Sequence, residues 1–243
     1  MTGEKYDAKP GTLYLVSTPI GNLRDISLRA LDILESVDLI AAEDTRTSRI
    51  LLDHYNIRTP STSHHDFNKE RVAPLLIAKL KEKQSIAVIS DAGTPGISDP
   101  AFYLVRQAIE ENVTVESIPG ATAFVPALVV SGLPTDRFVF EGFLPAKKGR
   151  SSRLYELRSD PRTIILYESP HRIIKTLTDL YKTMGNRRVA VARELTKKFE
   201  NIVRGTLEEI LKNAPSLKAK GEFVIVLEGW TRQQRSRQKE VTD

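Results

Sequence analysis

Three short stretches crowd glycine, proline and hydroxyl residues together: Ser17-Thr18-Pro19-Ile20-Gly21-Asn22, the run DAGTPGISDP from Asp91 to Pro100, and Ile118-Pro119-Gly120-Ala121-Thr122. Glycine lets a backbone come close to a ligand, and proline holds a loop in one shape. Together they describe a stiff cleft in which backbone amides and carbonyls do the binding. Charged groups that could act on a bound molecule lie in other segments. Glu43-Asp44-Thr45-Arg46 follows one apolar run and Glu168 ends another, so Asp44 and Glu168 are candidate proton acceptors. Asp44 equally suits the N-cap of a following helix, and Glu168 suits pairing with a nearby Arg or Lys. Between Lys147 and Arg158 lie Lys147, Lys148, Arg150, Arg153 and Arg158, opposed within the segment by Glu156 alone. Such a segment either attracts polyanions through counterion release or is a solvated helix face. A second cluster, Arg232, Arg235, Arg237 and Lys239, has the same two readings at the C-terminus.

Much other chemistry is excluded. The chain has no cysteine, which removes disulfides, thiolate metal sites and cysteine nucleophiles and fits a cytoplasmic setting. The histidines His54, His64, His65 and His171 fall into no metal-ligand spacing, so no metal is expected. His64-His65 reads as a surface pair or as a contact for RNA or substrate. No G-x-G-x-x-G follows the first apolar run and no phosphate-loop or G-x-S-x-G motif occurs. The first ten residues, MTGEKYDAKP, have no apolar core, and Ala121–Gly132 is too short for a bilayer span. Neither a signal peptide nor a membrane partner is expected.

The elements that must position these residues follow from periodicity. With 243 residues, 40% hydrophobic and 28% charged, the chain suits one large or two modest globular domains. Over the first 132 residues short apolar runs alternate with helical patterns: strands at Leu13–Thr18, Asp38–Ala42, Ser61–His64, Ser85–Ser90 and Thr114–Ile118, with helices at Ser27–Ser36, Thr47–Tyr55, Lys69–Lys83 and Pro100–Glu111. That alternation predicts βαβ units and a mostly parallel sheet. Gly132-Leu133-Pro134 breaks the rhythm, dividing an N-terminal α/β domain (1–133) from a C-terminal one (134–231), with a basic tail at 232–243 expected to be disordered. In the second domain Val189–Glu194 and Asn201–Arg204 follow one another without a helix, which predicts a mixed sheet. Ligands of open α/β sheets bind on loops leaving the C-terminal strand ends, where all three glycine–proline stretches fall.

Six motifs in order, LYLVSTPIGNLRDISLRALDIL, AAEDTRTSRILL, SDAGTPGISDP, IPGATAFVPALVVSGLP, LYESPHRI and ARELTKKFENIVRGTL, resemble the tetrapyrrole-methylase family, in its branch of ribosomal RNA cytidine 2′-O-methyltransferases. The likeness runs from about Gly11 to Trp230. It implies two α/β domains with an S-adenosylmethionine cleft between them, a homodimer, and as substrate a decoding-centre cytidine of 16S ribosomal RNA or the small subunit. The wider family carries G-x-G-P-G-D after its first strand. Here that place holds Ser17–Asn22, and Asp91–Pro100 replaces a G-D-P loop. Both departures disfavour a corrin-type substrate. The donor contacts that the likeness implies are Pro19, then Asp91, Gly93, Thr94, Ile97 and Ser98, then Gly120, Ala121 and Thr122, with Leu144, Tyr167 and Ala192 from the second domain. Arg46, Lys147, Lys148, Arg150, Arg153 and Lys197 are the expected RNA contacts. Two rival readings stay open: a tetrapyrrole C-methyltransferase, and a non-catalytic RNA-binding or ribosome-assembly protein.

Overall fold

The computed structural model describes residues 5–213 and 220–230; the expected basic tail lies outside them. Contacts divide the chain into two units, 1–122 and 123–243.

In the first unit, β1 (Thr12–Val16), β2 (Leu39–Ala42), β3 (Ser61–Ser63), β4 (Ile86–Ile89) and β5 (Thr114–Ile118) form one sheet in the order β3-β2-β4-β1-β5. Every pairing is parallel. The central strands are buried on both faces, which is why β4 reads as the unbroken apolar run IAVI. Alternate residues feed two cores. Tyr14, Val16, Ile40 and Ile89 pack with Ile33 and Leu34 of α1 (Leu28–Ser36) and Leu52 of α2 (Thr45–His54). Leu13, Ala41, Ile86 and Val88 pack with α3 (Lys69–Lys81) and α4 (Ala101–Glu110). Ser27 caps α1, its hydroxyl accepting from the Ala30 amide at 3.2 Å.

The order of strands has a consequence for binding. From β1 the chain moves outward to β2 and β3, then returns to β4 and passes to β5 on the other side. Connections therefore leave the adjacent strands β1 and β4 in opposite directions, and a crevice opens at their C-terminal ends. Ser17–Asn22 and Asp91–Pro100 are the two loops at that point.

In the second unit, β6 (Phe138–Phe143), β7 (Thr163–Glu168), β8 (Arg188–Arg193), β9 (Asn201–Thr206) and β10 (Phe223–Leu227) run in the order β6-β7-β10-β8-β9. β6 and β7 are parallel, while β10 is antiparallel to both its neighbours and β9 to β8. The sheet is mixed, as expected. Helices α6 (Arg150–Leu157), α7 (Ile173–Met184) and α8 (Leu207–Lys212) bury Leu154, Leu177 and Ile210 against one face.

The other face holds a helix that periodicity missed, α5 (Phe124–Val130). Its Phe124 ring stacks on Phe140 at 4.7 Å, and Phe140 meets Tyr167 edge-on at 4.9 Å. Because α5 packs on β7 and β10, the division falls at Thr122, ahead of the expected break at Leu133-Pro134.

Candidate active site

At the crevice of the first unit the three loops are bonded to one another. Thr18 donates its amide to the Gly93 carbonyl at 2.9 Å, and Gly93 returns an amide to the Thr18 carbonyl at 3.1 Å. This pair bridges the loops after β1 and β4. The Thr94 hydroxyl donates to the Ala121 carbonyl at 3.1 Å, so the Ser17 hydroxyl, 2.9 Å from it, must be donating to Thr94. Ser17 also gives its amide to the Ile118 carbonyl at 3.2 Å. Residues from three motifs thus form one continuous hydrogen-bonded surface.

Two glycines are required by this geometry. Gly93 has φ +90°, and a Cβ there would fill a gap 3.4 Å from Ile20 Cγ2 and 3.5 Å from the Ala121 carbonyl. A Cβ on Gly120 would come within 2.7 Å of Ser17 Cβ, closer than packed carbons allow. Asp99, to which the sequence assigned no role, closes the second loop. Its Oδ1 accepts the amides of Gly96 at 2.7 Å and Ala101 at 2.9 Å, and Ser98 takes the left-handed φ of +67° between them. The signal was an acid placed just ahead of a helix start. Pro19 is buried beside these contacts, Thr122 is half-buried, and Ile97 is exposed on the loop.

The acids at the ends of β2 and β4 differ in character. Asp44 is the N-cap of α2: its Oδ1 accepts the Arg46 amide at 2.8 Å. It also holds the Arg46 guanidinium through Nε at 3.1 Å and Nη2 at 2.7 Å. That guanidinium keeps the Asp44 carboxyl down at about 2, a weak base for any proton near neutrality. Burial instead raises Glu43, with Asp91 adding repulsion, and burial raises Asp91, with Asp44 adding repulsion. Glu43 Oε2 accepts the Asp91 amide at 3.2 Å, and Asp91 Oδ1 accepts the Asp44 amide at 3.1 Å. Glu43 sat in the motif without a role, because its burial comes from neighbouring strands that are remote in sequence.

His64 corrects the surface-pair reading. It is 2% exposed, and its Nε2 is buried without a hydrogen-bond partner. Burial lowers its pKa; the Asp99 and Asp66 charges oppose that shift, while His65 and Lys69 reinforce it. The folded protein therefore resists a proton that the unfolded chain accepts near pH 6.5, so stability present above that pH is lost as the solution is acidified below it. Urea unfolding at pH 7.5 and 5.5 should show this loss, and His64→Gln should reduce it. An equal pH dependence in the variant would assign the effect to other groups.

In the second unit, Phe143, Tyr167, Val224, Ala192 and Ile202 are successive partners across four strand pairs. Directly paired residues share a face, so Tyr167 and Ala192 stand in one row on the α5 side of the sheet. Burial raises the Tyr167 hydroxyl, which the Ala123 and Phe124 backbone offsets in part. Leu144 departs from expectation. It is 2% exposed within the opposite core, and its carbonyl is taken by Arg172 Nη2 at 2.7 Å.

Glu168 and Arg150, expected in different roles, belong to one buried network. Glu168 Oε1 accepts the Ser169 amide at 2.8 Å and pairs with Arg172 Nε at 3.2 Å, while Oε2 accepts the Thr176 hydroxyl at 2.5 Å. Arg150 is 5% exposed. It donates to Thr176 Oγ1 at 2.7 Å, to Asp179 Oδ2 at 2.9 Å and to the Pro145 carbonyl at 3.2 Å. Glu168 is thus engaged on both oxygens inside the unit, and Arg150 presents no free charge. Arg153 is held by Glu141 at 2.5 Å and Glu156 at 2.6 Å, and Lys197 by Glu194 at 3.0 Å and Glu222 at 3.2 Å. Lys147 and Lys148 stay exposed on the loop between β6 and α6. Among the described residues no group of three or more His, Cys, Asp or Glu could hold a metal, and no helix is long and apolar enough to cross a membrane.

Several known proteins with similar sequences share one name. The chain is 53% identical over 229 residues to the ribosomal RNA small subunit methyltransferase I of Pasteurella multocida, covering 92% of this chain and 81% of that protein. It is 53% identical over 227 residues to the protein of that name from Synechocystis, covering 93% and 81%. For the Escherichia coli O157:H7 protein the figures are 48% over 227 residues, 92% and 79%. Solved structures show the same fold at low identity. A cobalt precorrin-4 methyltransferase superposes with a TM-score of 0.62 at 19% identity, over 89% of this chain and 94% of that one. A uroporphyrin III C-methyltransferase from Thermus thermophilus gives 0.64 at 18%, over 89% and 97%. Residues 12–211 match the family model of tetrapyrrole (corrin/porphyrin) methylases; by that match and these relatives, the chain belongs to the tetrapyrrole methylase family.

Proposed function

We infer that this chain is an S-adenosylmethionine-dependent methyltransferase of small-subunit ribosomal RNA, acting on the 2′-oxygen of a decoding-centre cytidine and working as a homodimer. The observation that carries the reading is identity near one half, over nine tenths of the chain, with proteins named ribosomal RNA small subunit methyltransferase I. The corrin alternative rests on the breadth of the family model and on solved structures that share the fold at 18–19% identity.

The donor, when bound, supplies an electrophilic methyl group on a sulfonium. The bonded loops of the first unit fit such a cation. The Ala121 carbonyl borders the gap beside Gly93, no metal-ligand cluster competes for it among the described residues, and the glycines leave backbone bare where side chains would obstruct. Thr18, Gly93, Thr94 and Ala121 hold the binding surface in one shape, which keeps the reacting carbon aligned and limits water.

The ribose hydroxyl must lose its proton as it attacks. The half-buried Glu43, whose carboxyl burial raises, is better matched to receive it than Asp44 or the enclosed Glu168, with the exposed Asp91 beside it, also raised in part by desolvation. Arg46 lies one turn from this pair. Lys147 and Lys148 bind phosphates of the RNA, on a loop that Arg150 and Arg172 fasten to α7 through the Pro145 and Leu144 carbonyls.

Small subunits from cells lacking the protein, incubated with the purified chain and labelled donor, should gain one 2′-O-methyl group on a decoding-centre cytidine by mass spectrometry. Lys147→Ala with Lys148→Ala should weaken RNA binding and lower its logarithmic salt slope by about 1–2, with donor affinity unchanged. RNA that takes up no label would overturn the assignment.

A further inference from the structure

Beyond the loops, the first unit has an open groove of about 510 Å³ between α2 and the segment returning from it to β3. Its floor is apolar, with Leu52 and Ile57 at 6% and 3% exposure. Its rim is cationic. Arg46 and Arg49 stand three residues apart on α2, so they share a helix face, and Arg58 faces them from the returning segment. The three side chains are 90%, 80% and 78% exposed.

Their charges are incompletely balanced. Asp53 is the one acid lining the groove, and it is shared between Arg49 at 3.9 Å and Arg58 at 3.5 Å. Asp44 engages Arg46 from the N-cap, outside the lining. Arg46 and Arg49 lie near the positive end of the α2 dipole, where the Asp44 carboxylate at the N-cap is the acid that answers it. The added cations raise the positive potential of that surface, which suits an anionic partner.

We propose that this groove binds the phosphodiester backbone of the RNA substrate, on the stretch flanking the reacting nucleotide. The inference rests on the ribosomal RNA reading above. Guanidinium forks match phosphate oxygens in pairs. No aromatic ring lines the groove to stack a base, so it grips the backbone and leaves bases unread. The groove begins at Thr45, directly after the Glu43-Asp44 pair, which brings the bound strand to the acids at the end of β2.

The test uses the full chain with Arg49→Gln and Arg58→Gln together, and a small-subunit RNA fragment followed by fluorescence anisotropy from 50 to 200 mM salt. Binding at 100 mM salt should weaken about tenfold or more, and the slope of log K against log salt should fall by roughly 1.4–1.8, as for two lost phosphate contacts. Thermal unfolding and donor affinity should match wild type. Arg49→Lys with Arg58→Lys should keep most of the slope while losing part of the affinity, since the charge stays and the fork goes. Unchanged affinity and slope in the Gln variant would overturn the proposal, as would displacement of the RNA by a few millimolar inorganic phosphate, the mark of a small-anion site. Failure of the substrate reading looks different: the wild-type chain itself would neither bind nor label the fragment.

Discussion

Glu168→Ala costs the second unit about 3–5 kcal/mol of folding stability, the scale for removing one partner of a buried charged network. The carboxylate has no exposed surface. Removing it leaves the Ser169 amide and the Thr176 hydroxyl without their acceptor and Arg172 without its counter-charge, and Thr176 is also the acceptor for Arg150. Two helices and the Lys147 loop are therefore loosened together. Trp230, the chain's single tryptophan, lies 5.3 Å from the Arg187 guanidinium inside this unit, so its fluorescence in urea reports the loss. Glu168→Gln keeps an acceptor for Thr176 and should lose less. If Glu168→Ala instead kept its unfolding midpoint while turnover vanished, the residue would return to the reaction as a proton acceptor.

Gly120→Ala should reduce donor affinity by about 1–3 kcal/mol, a loss of roughly five- to 150-fold, the range for a methyl forced into filled space. The added carbon would meet Ser17 Cβ at 2.7 Å, and Ser17 is joined to Thr94 and through it to Ala121. Relieving the clash displaces the shared surface of three loops. Isothermal calorimetry with S-adenosylmethionine measures the effect, and Ser17→Gly in the same chain should restore part of it by removing the opposing carbon. Full affinity in Gly120→Ala would mean that the donor binds away from these loops.

The architecture was legible where one element declares itself locally. The short run IAVI, set between hydroxyl residues, reads as a strand buried on both sides, and alternation with helical patterns predicted a parallel sheet. Asp44 was readable as an N-cap, since capping depends on the next few residues alone. α5 was hidden because FVPALVV has no polar face and carries Pro126 near its start. The Lys147–Arg158 segment misled for a different reason. Its apparent excess of charge counted neighbours along the chain, whereas Arg150 is answered by Asp179 and Arg153 by Glu141. Leu144 and Glu168 show the same limit, since a motif marks a segment as important without saying that both side chains point into the core. His64 needed the burial supplied by distant elements before its unpaired nitrogen could mean anything.

The rung between Thr18 and Gly93 ties the first and fourth strands at their mouths, through two amides donated in opposite directions. Neither lip can swing aside without breaking both bonds and freeing the other. Under the proposed reading, a donor arriving there meets two lips that move only as a pair, and its spent and fresh forms differ there by one methyl and one charge.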